Sequence, residues 1–133
     1  MAEIHYYLRK FGARKEAFPP IVASGINSSY PHHKSQNKKI KRGEVIVIDM
    51  GADFCGYKSD LTATFFLGKP ENSEMERIYR IVCDAHENLI DEVKINIKGK
   101  KLHQMAVEIF KKHNLEKFFI HGLGHGVGID IHE

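Results

Sequence analysis

The spacing of apolar positions changes period several times along this chain. Ile4, Tyr7, Leu8 and Phe11 recur at helical spacing and are followed by Gly12, where a helix would stop. Phe18 to Ala23 is a short apolar run entered through Pro19 and Pro20, which lack backbone donors, so it predicts an edge-like strand. Ser24 to Arg42 is mostly polar and reads as loop. Val45 to Ile48 is a β-branched run and Tyr57 to Phe66 is rich in threonine and aromatic residues. Together they predict two strands joined by a turn that ends at Gly56. The helical period then returns. Ser73 and Glu76 form a capping box ahead of an apolar stripe of Met75, Ile78, Tyr79, Val82, Leu89 and Val93. A second helix carries Leu102, Met105, Ala106, Ile109 and Phe110 and ends near Asn114. Both stripes are expected to lie in the core. No repeat or low-complexity linker divides the chain, so one domain, or part of one, is expected over residues 1–133.

The hairpin brings chemistry into view. VIVIDMGADFCGYKSDLTATF, residues 45–65, carries Asp49 and Asp60 eleven positions apart. With a two-residue loop at Phe54 and Cys55, Asp53 faces Gly56 and Asp49 faces Asp60, both pointing to one side of the sheet. A three-residue loop at Phe54 to Gly56 would send the two carboxylates to opposite faces unless a bulge restored the match. Opposed carboxylates repel, and burying them uncompensated costs several kcal/mol. A divalent cation or a shared proton removes that conflict. Two separately solvated hairpin aspartates fit the spacing equally well.

The second chemical centre is FFIHGLGHGVGIDIHE, residues 118–133. His121 and His125 are four apart, but four intervening or flanking glycines each cost a helix about 1 kcal/mol, so an extended segment is expected. Alternation then places His121, Leu123, His125, Val127, Ile129 and Ile131 on one face, with the glycines opposite where backbone or ligand can approach. His132 falls on the other face from His125 unless the chain bends. Three histidines in twelve residues, set among glycines, point to a site more than any one of them does.

Composition narrows the partners. The 133 residues are 42% hydrophobic and 28% charged, with nine histidines and a net charge of +3, which is too mild to require nucleic acid. The basic loop HHKSQNKKIKR has no interleaved stacking aromatics and reads as a solvated face. No apolar run reaches membrane-spanning length and MAEIHYYLRK lacks the apolar core of a secretory signal, so no membrane partner and a cytoplasmic location are expected. Cys55 and Cys83 are too few for a disulfide scaffold and lack a CxxC spacing, so free thiols are expected.

VIDMGADFCGYKSDLTATF followed by HGLGHGVGIDIHE, with FPPIVASGINSSYPHH upstream, resembles the pita-bread metallopeptidases, most closely their proline-specific branch of Xaa-Pro dipeptidases (prolidases) and Xaa-Pro aminopeptidases. Three separate segments occur in the family's order over nearly the whole chain, which a single short motif would not achieve. The resemblance implies an α+β pita-bread fold, a curved antiparallel sheet with flanking helices. It also implies metal-dependent hydrolysis of the bond before a proline at the second position of a dipeptide or peptide. In that family two divalent ions, manganese, cobalt or zinc, sit on five protein ligands. Asp49 would bind one ion, Asp60 would bridge both, and His125 would bind the second. His132 is similar to the family histidine beside the cleaved bond, His32 to one lining the substrate pocket, and His121 to one defining the proline side.

The departures are equally specific. The family's remaining two ligands are glutamates on strands beyond the closing HE, and no residue here corresponds to them; Glu133 matches a non-ligand position. A further helix belongs ahead of the first one. The chain is therefore expected to be the middle of a larger catalytic domain, with its final strands absent and its own activity impaired. A homodimer is compatible with the resemblance, and a catalytically silent pita-bread module that binds peptide or protein partners is the alternative. Retention of Asp49, Asp60, His125 and His132 favours the enzyme.

Overall fold

The computed structural model describes all 133 residues, Met1–Glu133. Contacts divide them into two compact units, residues 1–71 with 126–133, and residues 72–125. No helix is long and apolar enough to cross a membrane.

The first unit opens with α1 (Ala2–Lys10), which ends at Phe11 and turns away through Gly12 at φ 96°, where glycine alone is unstrained. Six strands follow: β1 (Lys15–Glu16), β2 (Ile21–Ser24), β3 (Val45–Met50), β4 (Ala52–Phe54), β5 (Tyr57–Lys58) and β6 (Leu61–Phe66). They form two antiparallel sheets in the orders β1-β4-β5 and β2-β3-β6. One hairpin supplies both, with β3 and β4 in one arm and β5 and β6 in the other. The single strand expected over Tyr57 to Phe66 is interrupted at Ser59 and Asp60, across from the gap at Gly51.

Gly51 explains the interruption. A Cβ there would lie 2.0 Å from the Ser59 carbonyl oxygen, 2.7 Å from Phe18 Cε1 and 3.0 Å from Ala17 Cβ. The two arms therefore approach more closely than any side chain permits, and the pairing divides between the two sheets at this point. The turn itself also differs from expectation. Phe54 pairs with Tyr57, so the loop is Cys55–Gly56, not Phe54–Cys55. Cys55 at φ 52° and Gly56 at φ 90° are both left-handed, the backbone of a type I′ hairpin.

β2 is an edge strand, as its prolines predict. Its outward backbone groups at Val22 are taken by Ser35, whose hydroxyl accepts from the Val22 N–H at 2.9 Å and donates to the Val22 carbonyl at 3.2 Å. The polar loop thereby blunts an edge that would otherwise pair with another strand. Lys38 anchors the same loop, its ammonium 2.7 and 2.8 Å from the carboxylate oxygens of buried Glu44 and 2.9 Å from Ser24.

The second unit holds α2 (Ser73–Asp91) and α3 (Gly99–Lys112), which pack together. The N-cap of α2 is Asn72, whose side chain accepts from the Met75 N–H at 2.8 Å; Ser73 is already helical, so the Ser73 and Glu76 capping box does not form. Burial follows Ile81, Ala85 and Leu89, one register around the helix from much of the predicted stripe. Ile78, Val82 and Val93 are exposed, contrary to their expected place in the core. Ala85 and Ala106 are the most enclosed positions of this unit, and their small size favours close helix approach. α3 stops before Asn114, at φ 58°, as the sequence predicts.

Candidate metal and substrate site

Asp49 stands in β3 directly opposite Thr62 of β6, not opposite Asp60. The difference comes from the turn. Moving the loop from Phe54–Cys55 to Cys55–Gly56 slides the partner of Asp49 by two residues, and a slide of two preserves which face each side chain occupies. Asp60 precedes Thr62 by two, just before β6 begins, and lies close enough to Asp49 for its charge and a hydrogen bond to act on that carboxyl. The Thr62 hydroxyl donates to Asp49 Oδ1 at 2.9 Å and fixes that carboxylate.

The electrostatics record the juxtaposition. Burial raises the Asp49 carboxyl above its ordinary value, the Thr62 hydroxyl opposes the rise, and the charge and hydrogen bond of Asp60 add to it. His32 acts in the opposite direction through its charge. Two carboxylates and one imidazole from β3, from the break before β6 and from the Tyr30–His33 loop thus share one electrostatic neighbourhood.

The C-terminal segment is not the extended strand that alternation suggests. Residues 126–133 close into a loop, with the Gly126 N–H donating to the Glu133 carbonyl at 3.2 Å and the Glu133 N–H to the Gly126 carbonyl at 3.0 Å. The Glu133 carboxylate accepts from the N–H groups of Ile129 at 2.8 Å and Asp130 at 3.2 Å. A Cβ on Gly128 would meet that carboxylate at 2.6 Å, so the glycine admits the chain's own glutamate. Backbone groups that a strand would pair with a neighbour are satisfied inside the loop. His132 is an exposed member of this loop, and the Lys58 N–H donates to the Gly128 carbonyl at 2.7 Å.

His121 and His125 belong to the second unit, and both are exposed. His121 Nδ1 lies 2.7 Å from the Gly122 carbonyl, and its ring meets Phe119 edge-on at 5.3 Å. Together with Ile78, Val82, Phe110, Phe118 and Phe119 it lines an apolar hollow of about 420 Å³.

No group of three or more His, Cys, Asp or Glu side chains is gathered where it could hold a metal ion. Asp49 and Asp60 nevertheless fit the carboxylate part of such a centre. They offer hard oxygen donors on one face, in mutual conflict that a cation would relieve.

Sequence reasoning missed Asp53. It is fully enclosed in β4, and its Oδ2 accepts from Lys58 Nζ at 2.7 Å and Arg14 Nη2 at 2.9 Å. Those two contacts, Lys58 first, hold its carboxyl far below the usual range against the cost of burial. The signal was present: once Cys55 and Gly56 form the turn, Asp53 pairs with Lys58.

Comparison with known proteins draws these features together. The model of the family described as "Metallopeptidase family M24" matches residues 1–133. An Xaa-Pro dipeptidase of Pyrococcus furiosus is 42% identical over 132 residues, covering 99% of this chain and 38% of the relative. The solved prolidase of the same organism superposes with a TM-score of 0.95 at 42% identity, over 99% of this chain and 39% of its own. An X-Pro aminopeptidase of Thermotoga maritima gives a TM-score of 0.92 at 40% identity, over 99% and 37%. The chain thus spans less than two fifths of the length of these relatives.

Proposed function

The chain belongs to metallopeptidase family M24 and has the α+β pita-bread fold of its structural neighbours; from that premise we propose that it forms part of a metal-dependent Xaa-Pro peptidase. The substrate is a dipeptide or peptide with proline at its second position, and the bond before the proline is cleaved. The observation that carries the reading is the proximity of Asp49 and Asp60: burial raises the Asp49 carboxyl and the neighbouring Asp60 adds to the rise. A strand pair has little reason to keep two like charges there without a cation.

In this reading Asp49 and Asp60 hold manganese, cobalt or zinc, with His125 as the imidazole ligand and two glutamates from outside these residues. When bound, the ions polarise the scissile carbonyl and lower the pKa of a nucleophilic water. The remaining work falls to the chain itself. Thr62 orients Asp49 through its hydroxyl. Gly51 lets the Ser59 backbone come close and so sets the position of the next residue, Asp60. His132 contacts the substrate near the cleaved bond, His32 lines the substrate pocket, and His121 helps to define the proline side.

The test is calorimetric titration of manganese or cobalt into the chain and its D49N and D60N variants, with Xaa-Pro dipeptides assayed in parallel. Weak binding abolished by either substitution, with little hydrolysis by these residues alone, is expected. Metal binding indifferent to both substitutions would refute the assignment. Tight two-ion binding with turnover would instead overturn the need for further ligands.

A further inference from the structure

Lys58 joins two features that the proposed chemistry leaves unconnected. Its ammonium, on a side chain only 17% exposed, sits 2.7 Å from Oδ2 of Asp53, which has no exposure at all. Its backbone N–H donates to the Gly128 carbonyl at 2.7 Å, within the closed loop that carries His132. Two residues further on stands Asp60.

The geometry of these contacts restricts β5 strongly. Asp53 and Lys58 are directly opposed across β4 and β5, and the Arg14 N–H donates to the Asp53 carbonyl at 2.8 Å while its guanidinium reaches the same Oδ2. β5 is only two residues long, so ladder hydrogen bonds alone hold it weakly. A charge-assisted bond to a carboxylate removed from water is far less screened than a surface pair. The Gly128 carbonyl is also pre-set, since Gly126, Ile129, Asp130 and Glu133 fix the loop internally. A pre-formed loop thus meets a donor whose position depends on the Asp53 and Lys58 pair.

We propose that Asp53 is a positioning residue: through Lys58 it fixes the β5 backbone so that the Lys58 N–H seats the 126–133 loop and holds His132 beside the hairpin that carries Asp60. The catalytic sense of this positioning rests on the peptidase reading; the tether itself does not. Arg14 shares the carboxylate, but its side chain is 69% exposed and none of these bonds joins it to the loop. It supplies an internal control.

Amide hydrogen exchange and the His132 ring proton signals, both followed by NMR, read the tether without any activity. D53N and K58M should accelerate exchange of the backbone amide at position 58 by about tenfold more than that of the Ile81 and Ala85 amides in α2, and should shift the His132 signals. K58R should restore both readouts, and R14M should leave them near wild type. Equal acceleration at position 58 and in α2, or unmoved His132 signals in K58M, would overturn the proposal by reducing the pair to general stability. If D53N does not fold, the contrast between K58M and K58R decides the matter alone. Loss of metal binding in D49N with the tether intact would separate the two readings.

Discussion

Replacing Gly51 by alanine tests whether close approach of the hairpin arms positions Asp60. Two effects oppose each other. Gly51 does not occupy the left-handed region, so alanine can adopt its torsions and gains about 0.4–1 kcal/mol by restricting the unfolded chain. Against this, the new Cβ would stand 2.0 Å from the Ser59 carbonyl oxygen, where ordinary contact begins at 3.4 Å. The obstacle is backbone and cannot rotate aside. Phe18 Cε1 at 2.7 Å and Ala17 Cβ at 3.0 Å close the remaining directions. Separation by more than an ångström is required, and overpacking of this kind costs about 1–3 kcal/mol. The steric term wins, leaving a net loss of roughly 1–2 kcal/mol and a Tm lower by about 3–10 °C for a chain of this size. Ser59 leads directly into Asp60, so the displacement also separates the carboxylates. Thermal melts followed by circular dichroism measure the first effect, and calorimetric manganese titration below the melting range measures the second. A variant that melts at or above the wild-type temperature and binds manganese unchanged would refute the reasoning.

The type I′ turn predicts that Cys55→Asn stabilises the chain by about 0.5 kcal/mol, because asparagine accepts positive φ more readily than cysteine; urea denaturation midpoints would show it. Asn72→Ala removes the side chain that caps the Met75 N–H and should cost about 1 kcal/mol, confined in exchange measurements to the first turn of α2. Acid melts should expose Asp53. Its folded pKa is depressed, so its contribution is fully present above the unfolded value near ~3.9 and is lost as pH falls from there toward the folded value. Between pH 5 and pH 2, Tm should therefore fall less steeply in Asp53→Asn than in the parent; parallel curves would contradict the ion-pair reading.

The three helices, the edge strand β2 and the hairpin were legible in the sequence because local signals fix them. Gly12 and Asn114 stop α1 and α3 where left-handed backbone is needed, and Pro19 and Pro20 confine β2 to an edge. The nearness of Asp49 and Asp60 was legible too, since side-chain parity survives a slide of two. Which residue each carboxylate faces was not, because the turn could close at either of two adjacent dipeptides and only packing at Gly51 and pairing of Asp53 with Lys58 select one. The histidine-glycine run shows the same division. Its residue types suggest a site, whereas its shape depends on Glu133 folding back onto Ile129 and Asp130, a contact that no periodicity encodes. Likewise the apolar stripe of α2 announced a helix, but only tertiary packing determined that Ile81, Ala85 and Leu89 would be covered while Val82 stayed open. Local sequence sets backbone preference and the alternation of faces; register, burial and the meeting of distant side chains are settled by which parts of the chain come to lie against one another.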